Sequence, residues 1–276
     1  MLPSNREDLA RLLDQPDENI DLGRAALLLA RVEYPDLELE IQVSRLDQLG
    51  AEAGSVVKSE LGPAGLLAAL RRFLAEVCGF RGNELDYYDP KNSFMNDVLD
   101  RRIGIPITLS IVYMEIGRRI GIPLQGVGLP GHFLVKYADG KDMLFLDPFH
   151  GGREVTAADC RQMVEQMYQG QVEFQQDFLE AVNKKYILLR MLNNLRGIYS
   201  TKRQFQKALA VVEMVPIIDP GFEYLKDRGV LHFHLRNYRQ ARLDLEKYLA
   251  LNPQRPDAKE VRETLHQLRR LSAMLN

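Results

Sequence analysis

Residues 92–152 read NSFMNDVLDRRIGIPITLSIVYMEIGRRIGIPLQGVGLPGHFLVKYADGKDMLFLDPFHGG, and the rest of the chain is ordered around them. The stretch predicts a helix first and two strands after it. Residues 106–120 form the helix, preceded by Gly104-Ile105-Pro106 and closed by Gly121-Ile122-Pro123. Proline is welcome at a first helical position, because that N–H has no intrahelical partner anyway. His132–Tyr137 and Met143–Asp147 read as strands, with the turn pair Asp139-Gly140 between them. A shorter helix over 92–102 comes before, with Asn92 or Ser93 as its cap and Phe94, Val98 and Leu99 on its apolar face. Asp97, Asp100, Arg101 and Arg102 lie mostly on the opposite face, as a solvated surface with local ion pairs would.

Cysteine-type acyl transferases place a nucleophile at a helix N-terminus, a histidine on one strand and an aspartate on the next. The run GIP-x12-RRIGIP, then GHFLVKY, then LFLDPF resembles the transglutaminase-like core, a papain-related fold. That resemblance implies that His132 and Asp147 are the family's histidine and aspartate. It also implies that the family's cysteine position falls on Pro106, with Gly104 as the leading glycine. Proline there removes a nucleophile and a backbone donor.

Three residues are candidates to replace it. Thr108 and Ser110 follow within the first turns of the helix, but a hydroxyl needs an aligned base and an oxyanion hole. First-turn hydroxyls more often bond backbone groups. Cys160 stands near the start of a helix opened by Thr156, with Asp159 at the capping-box position. Its ordinary role would be that of a buried structural cysteine. His150, three residues after Asp147, could join His132 and Asp147 around a metal. No cysteine or second carboxylate is obviously supplied, so no metal and no cofactor is expected.

Gly126-Val-Gly-Leu-Pro-Gly131 matches a dinucleotide fingerprint in letters only, since a strand and not a helix is expected after it. Its glycines instead suit a tight turn into His132.

Upstream, residues 5–14, 22–32, 36–50 and 63–78 have helical spacing and make an N-terminal helical layer. Downstream, Ala208 and Pro220 recur as Ala241 and Pro253, an interval of 33 residues. Gly229 holds the usual small position, and Arg196 stands where the first unit should have glycine. This resembles tetratricopeptide repeats, with helix 178–199 joining them to the core and helix 257–273 capping them. Core and repeats together resemble the bacterial Sir B family. The fold class so implied is α+β: a papain/transglutaminase-like core with a helical N-terminal region over 1–175, then an α-helical tetratricopeptide-like repeat domain over 176–276.

The charge is uneven. Residues 1–183 carry 18 Lys/Arg against 29 Asp/Glu, and residues 184–276 carry 18 against 9. A basic repeat domain suits a protein or acidic peptide partner, with Arg190, Asn193, Lys226 and His234 as the expected inner-face contacts. No apolar stretch reaches membrane-spanning length, no signal pattern opens the chain, and Cys78 and Cys160 make no disulfide framework. A cytoplasmic protein is the simplest reading. No nucleic-acid module is visible, because the basic residues lack interleaved aromatics. Two functions follow as expectations. One is a non-catalytic protein-interaction or regulatory module, motivated by Pro106. The other is a hydrolase or acyl transferase using the retained His132/Asp147 pair with a non-standard nucleophile. Nothing in the sequence fixes an oligomeric state.

Overall fold

The structure, a computed structural model, describes residues 3–57, 62–138 and 143–275. Its N-terminal part is helical, as the 3.6-residue spacing of leucines and alanines requires. It holds α1 (Pro3–Leu13), α2 (Leu22–Ala30), α3 (Leu39–Val56) and α4 (Gly62–Arg71), the last continued by a π turn over Arg72–Val77. Asp21 caps α2 by accepting the Arg24 N–H at 2.8 Å. All of α2 except Arg24 is buried, so it forms an inner layer and not a surface helix.

A two-residue strand, β1 (Arg81–Gly82), pairs in parallel with β2 (Ile103–Gly104). Between them lies α5 (Met95–Arg101). The expected cap at Asn92 or Ser93 is not what starts this helix. A 3-10 turn over Pro90–Ser93 comes first, and Phe94 sits at the cap position of α5 without a side-chain bond. Asn92 is occupied elsewhere: its amide donates to the Asp86 and Tyr87 carbonyls at 2.8 and 3.2 Å. The opposite face of α5 carries ion pairs, but to other elements and not local ones: Asp100 with Arg45 of α3 at 2.5 Å and Arg101 with Asp89 at 3.0 Å, while Asp97 accepts from the Tyr34 hydroxyl at 2.7 Å.

α6 (Pro106–Arg119) begins at the proline, as expected. Every residue from Pro106 to Gly117 is buried, so this helix runs through the core. It packs against α2 and α3 on one side and against a four-stranded antiparallel sheet on the other. That sheet is a meander of β3 (Leu124–Val127), β4 (Leu134–Ala138), β5 (Met143–Asp147) and β6 (Arg153–Val155). Two strands were expected and four are present. β3 and β6 are short and carry no clear alternation, which hides them in the sequence. Val135 pairs with Leu146 and Tyr137 with Leu144. The Asp139-Gly140 turn falls outside the described residues. β4 starts at Leu134, so His132 stands in the turn before the strand and not on it. Gly131, at φ +72°, makes that turn. No helix follows β3, so the glycine-rich stretch is no dinucleotide site.

α7 (Ala157–Tyr168) has the expected capping box, with Thr156 accepting the Asp159 N–H at 3.2 Å and Asp159 accepting the Thr156 N–H at 2.7 Å. The remaining helices are α8 (Lys184–Thr201), α9 (Phe205–Val212), α10 (Val215–Ile218), α11 (Tyr224–His234), α12 (Tyr238–Leu251) and α13 (Ala258–Leu275). Leu225, Ala241, Leu245, Tyr248, Val261, Leu265 and Leu268 form one buried cluster among α11, α12 and α13. Gly229 is the contact point: a Cβ there would lie 2.7 Å from Leu245 Cγ. Leu245 is fully buried and has little room to move. Gly229→Val should therefore destabilise the repeats by about 2 kcal/mol through overpacking. Chemical denaturation would measure it, and a neutral result would contradict the tight α11–α12 contact.

The chain divides into two compact units, residues 11–191 and residues 1–10 with 192–276. The expected junction lay at 175/176. The observed one lies within α8, because the first residues of that helix are bonded into the sheet-bearing unit. The Lys184 N–H donates to Asp17, and Arg190 donates to carbonyls around His132.

Candidate functional site

β5 delivers Asp147 to the end of the sheet, where its carboxylate is wholly buried. The chain then turns at once through Pro148–His150, with Asp147 itself as the cap. This local fold returns His150 to its own aspartate: Nδ1 lies 2.6 Å from Asp147 Oδ2. From the turn before β4, His132 reaches the other oxygen, with Nε2 3.0 Å from Oδ1. One carboxylate thus stands between two imidazoles. Arg153 Nε is 3.8 Å from the same Oδ2. Burial alone would push the Asp147 carboxyl up, but the hydrogen bonds and charges of His132 and His150 outweigh it and hold it below the usual range.

His132 is held on three sides. Its N–H donates to the Leu129 carbonyl at 3.2 Å. Arg190 donates to the carbonyls of both Leu129 and His132, at 2.9 and 2.6 Å, and lies over the Phe133 ring. The Phe149 ring meets the imidazole edge-on with centroids 6.2 Å apart, and Tyr87 meets Phe149 in the same way at 5.9 Å. Tyr87 belongs to the loop whose carbonyls Asn92 anchors. The Thr108 hydroxyl bonds the Asn92 carbonyl at 2.7 Å, which ties that loop to the start of α6.

The candidate nucleophiles separate on this geometry. Pro106 occupies the first position of α6. Thr108 is fully buried and its hydroxyl serves the backbone of Asn92 and Ile105, the capping role its position suggested. Cys160 sits in an apolar cluster with Val127, Leu129, Leu134, Phe145, Val155 and Val164. Burial pushes its thiol up to about 11, which opposes thiolate formation despite its place near a helix start. Ser110 is fully buried, and its hydroxyl has no hydrogen-bond partner among the described residues.

The expected partner contacts fare unevenly. Arg190 serves the His132 turn inside the sheet-bearing unit and is not a repeat-face residue. Lys226 is neutralised by Asp257 at 2.9 Å and Glu260 at 3.5 Å. Asn193 is exposed. His234 is exposed and stacks on Phe205 with centroids 4.3 Å apart. Sequence reasoning missed the roles of Arg190, Tyr87, Phe149 and Arg153. The glycines flanking Leu129 and His132 were a signal that the turn needs outside support, but not of which residue gives it.

The profile of the Transglutaminase-like superfamily matches residues 42–193, and a tetratricopeptide-repeat profile matches residues 195–266. A UPF0162 protein of Xylella fastidiosa is 37% identical over 245 residues, which is 86% of each chain. A UPF0162 protein of Vibrio cholerae is 26% identical over 263 residues, 94% of this chain and 97% of that one. The human F-box only protein 21 is 33% identical over 152 residues, 52% of this chain and 23% of that protein. No solved structure matches significantly. With more than half of its length matched, and with relatives that align over nearly all of it, this chain belongs to the Transglutaminase-like superfamily and carries tetratricopeptide repeats behind that core.

Proposed function

We propose that this chain is a non-catalytic transglutaminase-like protein that acts as an interaction module, with its repeats holding an acidic protein partner. The observation that carries the reading is Pro106 at the first position of α6, in a unit whose His132–Asp147 pair is intact. Covalent acyl transfer needs an activated nucleophile. The cysteine in the same unit near a helix start, Cys160, is in the apolar core, and the first-turn hydroxyl of α6, Thr108, is committed to backbone bonds.

Two turns of the repeats support the partner. Arg203 and Arg236 lie 33 residues apart and both adopt left-handed backbone, at φ 55° and 60°. With Lys202 and Arg239 they are exposed and have no ion-pair partner among the described residues. Guanidinium groups of this kind suit bidentate capture of carboxylates. These positions, with Asn193 and His234, replace Arg190 and Lys226 as the proposed contacts. The Sir B resemblance extends the reading to a regulatory role. Cys78 and Cys160 are unpaired, which supports a reducing, cytoplasmic setting. Among the described residues, no helix is long and apolar enough to cross a membrane.

A second reading rests on Ser110, whose buried hydroxyl lacks a partner on a helix that packs against the sheet. Thiol-, serine- and acyl-directed probes on the full chain separate the two. The expected result is no labelling of Cys160, Thr108 or Ser110 that depends on His132. Labelling of any of the three that disappears in His132→Ala would overturn the non-catalytic reading.

A further inference from the structure

We propose that His132, Asp147 and His150 form a binding site for a divalent transition-metal ion. Their candidate ligand atoms all lie within 4.8 Å of one another. The donor set is two imidazoles and one carboxylate, which suits zinc, iron, cobalt or nickel better than the all-oxygen preference of magnesium or calcium. The nitrogen–oxygen separations of 3.0 and 2.6 Å also carry information. With metal–ligand bonds of about 2.1 Å, ligands at right angles lie about 3.0 Å apart, whereas tetrahedral ligands lie about 3.4 Å apart. The 3.0 Å separation from His132 Nε2 to Asp147 Oδ1 fits neighbouring positions on a five- or six-coordinate ion with water in its open positions, and the 2.6 Å separation from His150 Nδ1, which ends on the other oxygen Oδ2, would lengthen on ligation.

The mount is preorganised. Asp147 and His150 are fixed to each other by the single turn Pro148–His150, in which the Asp147 carboxylate also faces the His150 N–H at 3.4 Å. His132 is set by the Gly131 turn and by Arg190 on its carbonyl. His132 and Asp147 are buried, while the His150 side chain is 41% exposed, so an ion and its waters have an approach from solvent. Without an ion the negative carboxylate is satisfied by the two imidazoles. With one, the two imidazole nitrogens and the carboxylate turn from hydrogen bonding to ligation. Arg153 opposes a cation here, but its side chain is 55% exposed and its Nε is 3.8 Å away, so it can turn outward.

The test is calorimetric titration of the tag-free, chelator-stripped full chain with Zn2+. One equivalent should bind. His150→Ala should weaken that binding at least about tenfold, the scale on which even outer partners of a metal affect affinity. His132→Ala should weaken it likewise. His266→Ala, at an exposed position of α13, should leave it unchanged. His150 is half-exposed, so circular dichroism can establish that His150→Ala is folded before its titration is read. No uptake of Zn2+, or equal affinity in His150→Ala and the parent chain, overturns the proposal.

Discussion

Asp147→Ala should cost about 3 kcal/mol or more of stability. Its carboxylate is wholly buried and meets both His132 and His150. Removing one partner of a buried charged pair leaves the other unsatisfied, and that loss typically reaches about 3–5 kcal/mol. Here His132 would keep its place in the core with Nε2 facing a cavity. Urea unfolding of the full chain, followed by circular dichroism in the step that reports the sheet-bearing unit, would measure the change. A loss below about 1 kcal/mol would mean that the histidines do not depend on this carboxylate. The pH dependence gives a second check. The Asp147 carboxyl is held below its usual range in the folded protein, so the unfolded chain takes up the proton first as pH falls. Its contribution should therefore be complete above about pH 4, the ordinary carboxylate value, and shrink as pH falls through the lower folded value. In Asp147→Asn that acid-limb contribution should be gone.

Pro106→Cys should create a reactive thiol. The substitution restores a backbone N–H at a helix position where none needs an internal partner, so α6 should persist. The thiol would sit at the N-terminus of a 14-residue helix, where the dipole favours thiolate, on the helix that packs against the Pro148–His150 turn. If its pKa falls to about 6 from about 8.5, the thiolate fraction at pH 6 rises more than about a hundredfold. The accompanying loss of intrinsic nucleophilicity returns roughly a factor of ten. The net expectation is reaction with an aromatic disulfide about tenfold faster than an equally buried cysteine away from a helix N-terminus. Cys78, whose thiol is pushed up by burial, provides a slow internal reference. Site-resolved mass spectrometry would separate the two. The gain should vanish when His132→Ala is added. Equal rates with and without His132 would show that the imidazole does not serve position 106, and would remove the basis for reading that position as the lost nucleophile.

Much of this was legible in the chain because it is local. Pro106 fixes a helix start by its own ring geometry, and the glycine-proline pair after Ile120 ends the helix. β4 and β5 follow from short apolar runs on either side of a turn pair, and the repeats follow from an interval of 33 residues. The identities of His132 and Asp147 were equally plain, and the structure brings them to 3.0 Å. The errors lay at places where a side chain has a choice of partners. Asn92 suits a helix cap by type, yet its amide meets the nearby carbonyls of Asp86 and Tyr87. Cys160, by contrast, is the buried structural cysteine its residue type suggested, enclosed by apolar side chains of the sheet and α7.

The sequence by itself determined the helix-then-sheet order, the presence of His132 and Asp147 beside the two strands, the proline that opens α6 and the repeat period. These depend on backbone periodicity and residue chemistry, which act over a few residues at a time. Only the tertiary structure decided that Arg190 braces a turn 58 residues earlier, that Ser110 is left without a partner, and that both His132 and His150 close on one carboxylate. Those outcomes depend on which distant segments share the interior, where close packing and the need to satisfy buried polar groups select one partner among many.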